Sequence, residues 1–195
     1  MKSTQELKED HVTIRRIKDV ALKCSKNLLE NSYVPIEDIE IISVVFEEFV
    51  DHFHHGKEEM AYFPEVKEES EFSEDIRKFL IEHEFGRRIA ILLRKALYNW
   101  KSKIKEAGRD EEQVKQLVEP IARFLKVYAI FIEDHTGKED KFFDRIEERK
   151  IISSSEDELL LIHYKSCLNQ AGGKIRIEQM VRLINYLEKR EWMKD

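Results

Sequence analysis

Two stretches of the sequence share one pattern: His54-His55-Gly56-Lys57-Glu58-Glu59 and His135-Thr136-Gly137-Lys138-Glu139-Asp140. Each copy has a histidine, a Gly-Lys pair and two acidic residues, and aromatic residues follow both. Positions four apart lie on one face of an α-helix, so a histidine and a glutamate at this spacing can reach one metal ion or two adjacent ones. The repeat therefore indicates a metal site built from imidazoles and carboxylates.

The first copy allows two registers, because His55 and Glu59 have the same spacing as His54 and Glu58. The second copy has one histidine, and aligning the shared Gly-Lys dipeptides places it on His54. We therefore predict His54 and Glu58 as ligands. His55 is interpreted, with His52, as a neighbour of the site.

The second copy contributes His135 and Glu139 by the same alignment. Two further histidines, His11 and His83, fall within the apolar stripes of other predicted helices and complete a candidate ligand set. Four residues after His83 stands Arg87, whose guanidinium does not deprotonate in proteins. It is predicted as a charge partner and not as a ligand.

Composition sets limits on the class of protein. The chain has 195 residues, 42% hydrophobic and 38% charged, with only six Gly and three Pro, which argues against a turn-rich all-β fold. The net charge of −6 does not favour nonspecific nucleic-acid binding. Residues 1–10 are polar and no apolar run is long enough to cross a membrane, so we expect no membrane association. With Cys24 and Cys167 as its only thiols, the chain is expected to be cytoplasmic and reduced.

Apolar residues recur at helical spacing, which predicts an all-α protein. The second helix is expected to end by Phe63-Pro64, because proline cannot continue a helix interior. An acidic linker is predicted over 65–74, and Ser155 with Glu158 has the spacing of a capping box. Long helices are predicted over 4–29, 36–63, 73–106 and 110–145, and two shorter ones over 155–168 and from about 174 to 192.

The predicted ligands follow the helices in the order His, His-x-x-x-Glu, His, His-x-x-x-Glu. This order is an internal repeat of a two-helix unit, and an up-down-up-down four-helix bundle brings all four inner faces to one core. We predict the bundle over residues 1–150 and additional C-terminal helices over 151–195 that pack on it. Four imidazoles and two carboxylates suffice for two adjacent metal ions. Without thiolates, they suit iron, manganese or zinc better than copper(I) or an iron–sulfur cluster.

These residues together resemble the hemerythrin-like, or HHE cation-binding, family. The resemblance covers roughly residues 5–146 and implies a four-helix bundle with a non-haem di-iron centre whose two glutamates bridge the ions. Its carrying segments are His11, the first repeat copy ending in Phe63-Pro64, Glu82-His83-Glu84, and the second repeat copy. By that likeness, the ligands would be His11, His54, Glu58, His83, His135 and Glu139.

One position departs from the oxygen carriers of the family. Those proteins have a second histidine four residues after that of the third helix, where this chain has Arg87. The resulting four-His, two-Glu set is more similar to the iron-centre repair and gas-responsive branch. The short Cys-bearing domain of the repair proteins has no counterpart in the sequence, so a repair role is not predicted.

The predicted function is therefore to bind or sense oxygen or nitric oxide, or to handle iron in redox stress. Two iron ions are the expected cofactor, with zinc or manganese possible, and a small diatomic gas is the expected ligand. The alternative is a metal-stabilised helical interaction module, whose linker and C-terminal helices contact a protein partner or a second copy. A hydrolytic zinc enzyme is a weaker third hypothesis, since the sequence has no His-Glu-x-x-His motif. Nothing in the sequence gives evidence of catalytic turnover.

Overall fold

The computed structural model describes residues 1–66, 71–103 and 111–194, and within these ranges it contains helices and no strands. Residues 36–66 form one continuous helical arm, in which α-helix alternates with wider π-helical turns. The elements are α1 Lys2–Leu29, α2 Ile36–Val45, a first π-helix Phe46–His55, a second π-helix Glu58–Tyr62, α3 Phe63–Val66, α4 Ser73–Lys103, α5 Glu111–Arg149, α6 Ser154–Gln170, α7 Gly173–Leu187 and a 3-10 turn Glu191–Met193.

Four long elements make the bundle: α1, the arm, α4 and α5. Helix α5 packs along both α1 and α4, and the arm contacts α1 and α4 from the other side. The predicted all-α, up-down-up-down four-helix bundle with additional C-terminal helices is confirmed.

The turns that reverse the chain end α1 and α5 in the same way. Asn31 (φ 58°) and Lys150 (φ 54°) adopt the left-handed conformation just past each helix. The backbone N–H of the following residue then donates to a carbonyl in the last turn of the helix. Ser32 N donates to Asn27 O at 2.8 Å, and Ile151 N donates to Ile146 O. This arrangement satisfies carbonyl groups that a helix end otherwise leaves without partners.

Two predicted boundaries are wrong. The arm continues past Pro64 to Val66. In a π-helical turn, each N–H group donates to the carbonyl five residues earlier. The carbonyl four residues before Pro64 therefore does not clash with the proline ring, as it would in an α-helix. The capping box of α6 uses Ser153 and Glu156, not Ser155 and Glu158. The predicted end of the third helix and part of the acidic linker fall on residues 104–110 and 67–70, outside the described residues.

The C-terminal helices share their cores with the bundle. Met180, Ile184 and Leu187 of α7 are fully buried in the apolar cluster that contains the first π-helix. Leu160 and Tyr164 of α6 are buried in a second apolar cluster at the other end of the bundle. Within the described ranges, no helix is both long and apolar enough to span a membrane.

Polar contacts also join the two parts. The Asp38 carboxylate of α2 accepts hydrogen bonds from Arg190 Nε and Trp192 Nε1, both at 2.7 Å. The Asp157 carboxylate of α6 accepts the Lys2 and Ser3 backbone N–H groups at 3.1 and 3.0 Å. Asp157 therefore caps the N-terminus of α1 from another helix, and the first and sixth helices are fixed to each other.

Candidate metal centre

A layer of polar side chains crosses the bundle between its two apolar clusters. Along α1, Leu7 belongs to one cluster and Ile14 to the other, and His11 lies between them. The same alternation holds in the arm, α4 and α5. The side chains of the six predicted ligands are all fully buried in this layer: His11, His54, Glu58, His83, His135 and Glu139.

The two glutamates lie between the histidines. Glu58 Oε1 is 3.5 Å from His54 Nε2, and Glu58 Oε2 is 3.4 Å from His83 Nε2. The two oxygens of one carboxylate therefore face imidazoles from different helices.

Glu139 makes the complementary set of approaches. Its Oε2 lies 3.3 Å from His11 Nε2 and 3.2 Å from His135 Nε2, and its Oε1 lies 3.3 Å from His83 Nε2. On the opposite side, His11 Nε2 and His54 Nε2 are 3.0 Å apart. Four imidazole nitrogens thus converge on two carboxylates in a volume that suits two neighbouring cations.

Several of these atoms have no hydrogen-bond partner in the part of the chain that the structure describes. Among the residues that the structure describes, both Glu58 oxygens, Glu139 Oε2 and His135 Nε2 are buried without a hydrogen-bond partner. Burying such groups unpaired costs about 1–3 kcal/mol each, and more when they are charged. A cation bound among them removes that cost, so the residues present fit a metal centre.

The electrostatics of the layer favour the same conclusion. Burial raises the pKa of the Glu58 and Glu139 carboxyls well above the usual 4.5. Burial also lowers the pKa of His54 and His83 well below 6.5, and those of His11 and His135 move in the same direction. Neutral imidazole is the form that binds metal, and a divalent cation supplies the positive charge that the carboxylates lack.

A carboxylate supports each of the four histidines from behind. Each carboxylate lies beside the Nδ1 atom of its histidine, so the Nε2 atom points into the layer. Each carboxylate is also paired with a cationic side chain. The four sets are His11–Asp140 (2.7 Å) with Arg15, His54–Asp10 (3.2 Å) with Lys57, His83–Glu59 (2.7 Å) with Arg87, and His135–Glu82 (2.8 Å) with Lys138. Outer carboxylates of this kind fix the tautomer and orientation of metal-binding histidines.

Arg87 is a charge partner, as predicted. Its guanidinium donates to Glu59 Oε1 at 2.6 Å and to Asp51 Oδ1 at 2.7 Å. It therefore joins the arm to α4 behind the histidine layer.

Lys57 is a buried cation whose role the sequence did not reveal. Its side chain is fully buried, and its Nζ lies 2.5 Å from Asp10 Oδ2 and 3.3 Å from Glu6 Oε1. The ammonium also lies over the rings of Phe53 (4.4 Å) and Tyr164 (5.2 Å). Tyr164 comes from α6, so the C-terminal part of the chain covers this side of the layer.

His55 was interpreted as a neighbour of the site, and the structure places it inside. Its side chain is 1% exposed, and its ring stacks on that of His83 with centroids 3.8 Å apart and planes 11° apart. His52, by contrast, is exposed. Within the described ranges, two clusters have ligand atoms close enough together to hold a cation: His11, His54, Glu58 and Glu139 in one, and His55, His83 and His135 in the other.

The π-helical turns keep the buried residues of the arm, including His54, on one side. Buried pairs recur every four residues along the arm: 45–46, 49–50, 53–54, 57–58 and 61–62. In a regular α-helix, steps of four drift by about 40° each, so the last pair would face about 160° away from the first. Turns that bond five residues back hold more residues and keep the pairs on one side. The four-residue recurrence of these residues in the sequence is compatible with such turns but does not require them.

The chain also matches a known family. The family model described as Hemerythrin HHE cation binding domain matches residues 2–146, which include all six predicted ligands and His55. None of the curated proteins and none of the solved structures gives a match. The matched region is most of the chain, and its buried histidines and glutamates are residues that can bind cations. The chain therefore belongs to the family of hemerythrin HHE cation-binding domains.

Proposed function

We propose that this protein holds two iron ions in the polar layer and uses them to bind or sense oxygen or nitric oxide in the cytoplasm. Handling of iron in redox stress is the related role that the same site would serve. The observation that carries the proposal is the position of Glu58 and Glu139, each between imidazoles of different helices, with buried oxygens that lack hydrogen-bond partners in the described part of the chain.

The chain's residues would divide the work. His11 and His54 would bind on one side and His83 and His135 on the other, with the glutamates between them. Ferrous iron in such a nitrogen-and-oxygen set supplies an open position for a gas and electrons to exchange with it. Zinc or manganese would suit the same donors.

The surroundings of the layer favour a small neutral ligand. Phe143 stacks on the His11 ring (centroids 5.7 Å apart), Phe63 on His83 (5.9 Å) and Phe131 on His135 (5.1 Å). A charged or bulky substrate would lose its hydration in reaching this layer, whereas a diatomic gas has little hydration to lose. This burial argues for gas binding over hydrolysis.

The test is to load the metal-free protein with ferrous iron in the absence of air, and then to admit oxygen or nitric oxide. We expect about two irons per chain and an optical spectrum that changes with the gas. The double variant His54→Ala/His135→Ala should bind less than one iron. His52→Ala is the matched control, because it removes an exposed histidine from the same π-helix. Absence of iron binding by the wild-type chain would refute the proposal.

The interaction module is the second candidate. Helices α6 and α7 expose the apolar side chains of Leu159, Ile162 and Ile175, by 55–70%. A protein partner or a second copy would bind there, with the metal serving only to stabilise the bundle. Two results together would favour this candidate over gas binding. The chain would bind two irons with an optical spectrum that neither gas changes. Light scattering would show a dimer that the Ile162→Ser variant does not form.

A further inference from the structure

We propose that His55 is a fifth imidazole ligand, which joins His83 and His135 in binding one of the two metal ions. The inference rests on the proposed metal binding but not on which gas is bound. It makes the centre asymmetric: the other ion would have His11 and His54 as its imidazoles. The six-ligand set predicted from the sequence does not include His55.

First, His55 is buried without a hydrogen bond of normal length among the described residues. Its side chain is 1% exposed, and neither ring nitrogen has a hydrogen-bond partner within the ranges that the structure describes. A neutral imidazole carries one N–H group, and leaving such a group without a partner in the interior destabilises the protein. A purely structural role at this position would be served better by an apolar residue.

The second argument is the position of its ligand atom. A ring nitrogen of His55 lies within 4.8 Å of nitrogens of both His83 and His135. The His55 ring is parallel to that of His83 and perpendicular to that of His135, at 89° with centroids 5.6 Å apart. Three nitrogens that each bond one ion at about 2.1 Å lie about 3.6 Å apart when they are evenly spaced around it. The three ring nitrogens lie within 4.8 Å of one another and would therefore move together by up to about 1.2 Å to share one ion.

The third argument is the group behind the ring. Asp51 Oδ1 lies 3.5 Å from His55 Nδ1 and accepts a hydrogen bond from Arg87 Nε at 2.7 Å. The same series of imidazole, carboxylate and cation supports the other four histidines. The distance from the imidazole to the carboxylate is longer at His55 than at those four. Arg87 also holds Glu59, the carboxylate behind His83. One guanidinium therefore donates to both carboxylates that lie behind the two stacked imidazoles.

The test is a ferrous iron titration of the full chain without air, fitted for two separate binding constants. In the His55→Gln variant, we expect one of the two affinities to fall by at least about 100-fold, while the other changes by less than about threefold. Asp51→Asn should weaken the same ion by about 10-fold, as loss of an outer carboxylate does. His52→Gln is the matched control and should change neither affinity.

A second variant distinguishes a ligand from a packing residue. In His55→Gly, added imidazole at millimolar concentration should restore the lost affinity, because the free ring can occupy the vacated space. Unchanged affinities in His55→Gln, an equal loss at both ions, or no recovery with imidazole would overturn the inference. These outcomes differ from failure of the proposed function, in which the wild-type chain itself would bind no iron.

Discussion

Changing Glu58 and Glu139 together to glutamine should stabilise the metal-free protein and abolish its stabilisation by metal. Both side chains are fully buried, and three of their four carboxylate oxygens lack hydrogen-bond partners among the described residues. An uncompensated carboxylate in the interior costs several kcal/mol, whereas a buried amide with imperfect partners costs about 1–3 kcal/mol. Replacing each carboxylate by an amide should therefore raise the free energy of unfolding of the metal-free protein by about 1–2 kcal/mol, or roughly 2–4 kcal/mol for both sites.

The assay is thermal and urea unfolding with and without metal. For a chain of this size, 2–4 kcal/mol corresponds to a rise in Tm of roughly 5–10 °C. Metal at 100 times its Kd should stabilise the wild type by about 2.7 kcal/mol per ion and the variant by almost nothing. The control is Glu84→Gln with Glu119→Gln, which makes the same change in net charge at exposed positions.

The difference between variant and wild type should depend on pH with a definite sign. Burial raises the pKa of Glu58 and Glu139 above their unfolded value of 4.5. Their contribution to stability is therefore fully present below pH 4.5 and is lost as pH rises through the folded pKa. The lowered histidine pKa values act in the opposite direction, but they are common to both proteins. We expect the variant's advantage to grow from pH 4.5 upward. A metal-free variant less stable than the wild type at pH 8 would refute the reasoning.

Three further changes test other contacts. Lys57→Met should lower the free energy of unfolding in urea by about 3–5 kcal/mol, because it leaves Asp10 buried without its cation. Adding Asp10→Asn should recover most of that loss. A loss below about 1 kcal/mol would show that the ion pair does not contribute to stability. Deleting residues 153–195 uncovers the apolar core beneath α7 and should lower Tm by well over 10 °C; a shortened chain with an unchanged Tm would contradict the shared core. Lys150→Gly relieves a left-handed conformation and should stabilise the protein by about 0.5–1 kcal/mol, and equal urea midpoints would count against this.

Much of the fold could be predicted because its signals are local. Apolar residues at helical spacing identify the helices, and Asn31 lies between the predicted helices over 4–29 and 36–63. The capping box shows the limit of such signals. Three consecutive serines each have an acidic residue three positions on, so the sequence offers three registers. The structure uses Ser153 and Glu156, and Asp157 accepts hydrogen bonds from the N-terminus of α1 instead.

His55 could not be assigned from spacing alone. The register argument aligned the two repeat copies, and this alignment places Thr136 opposite His55, so the second copy gave no support for His55 as a ligand. The structure nevertheless places both His54 and His55 in the layer, within the π-helical part of the arm. Four-residue recurrence in a sequence is compatible with either helix, and only packing against the neighbouring helices selects the wider turns.

The sequence by itself determined the kinds of donor groups and their order along the chain: imidazole, imidazole with carboxylate, and the same again. Periodicity within each helix carries that information, because it depends on residues only a few positions apart. The tertiary structure decided which groups meet. Asp10 lies behind His54, Glu82 behind His135 and Asp140 behind His11, across separations of 44 to 129 residues. Such pairs depend on how the helices rotate and shift against one another, and those choices are made by the packing of whole faces and not by local spacing.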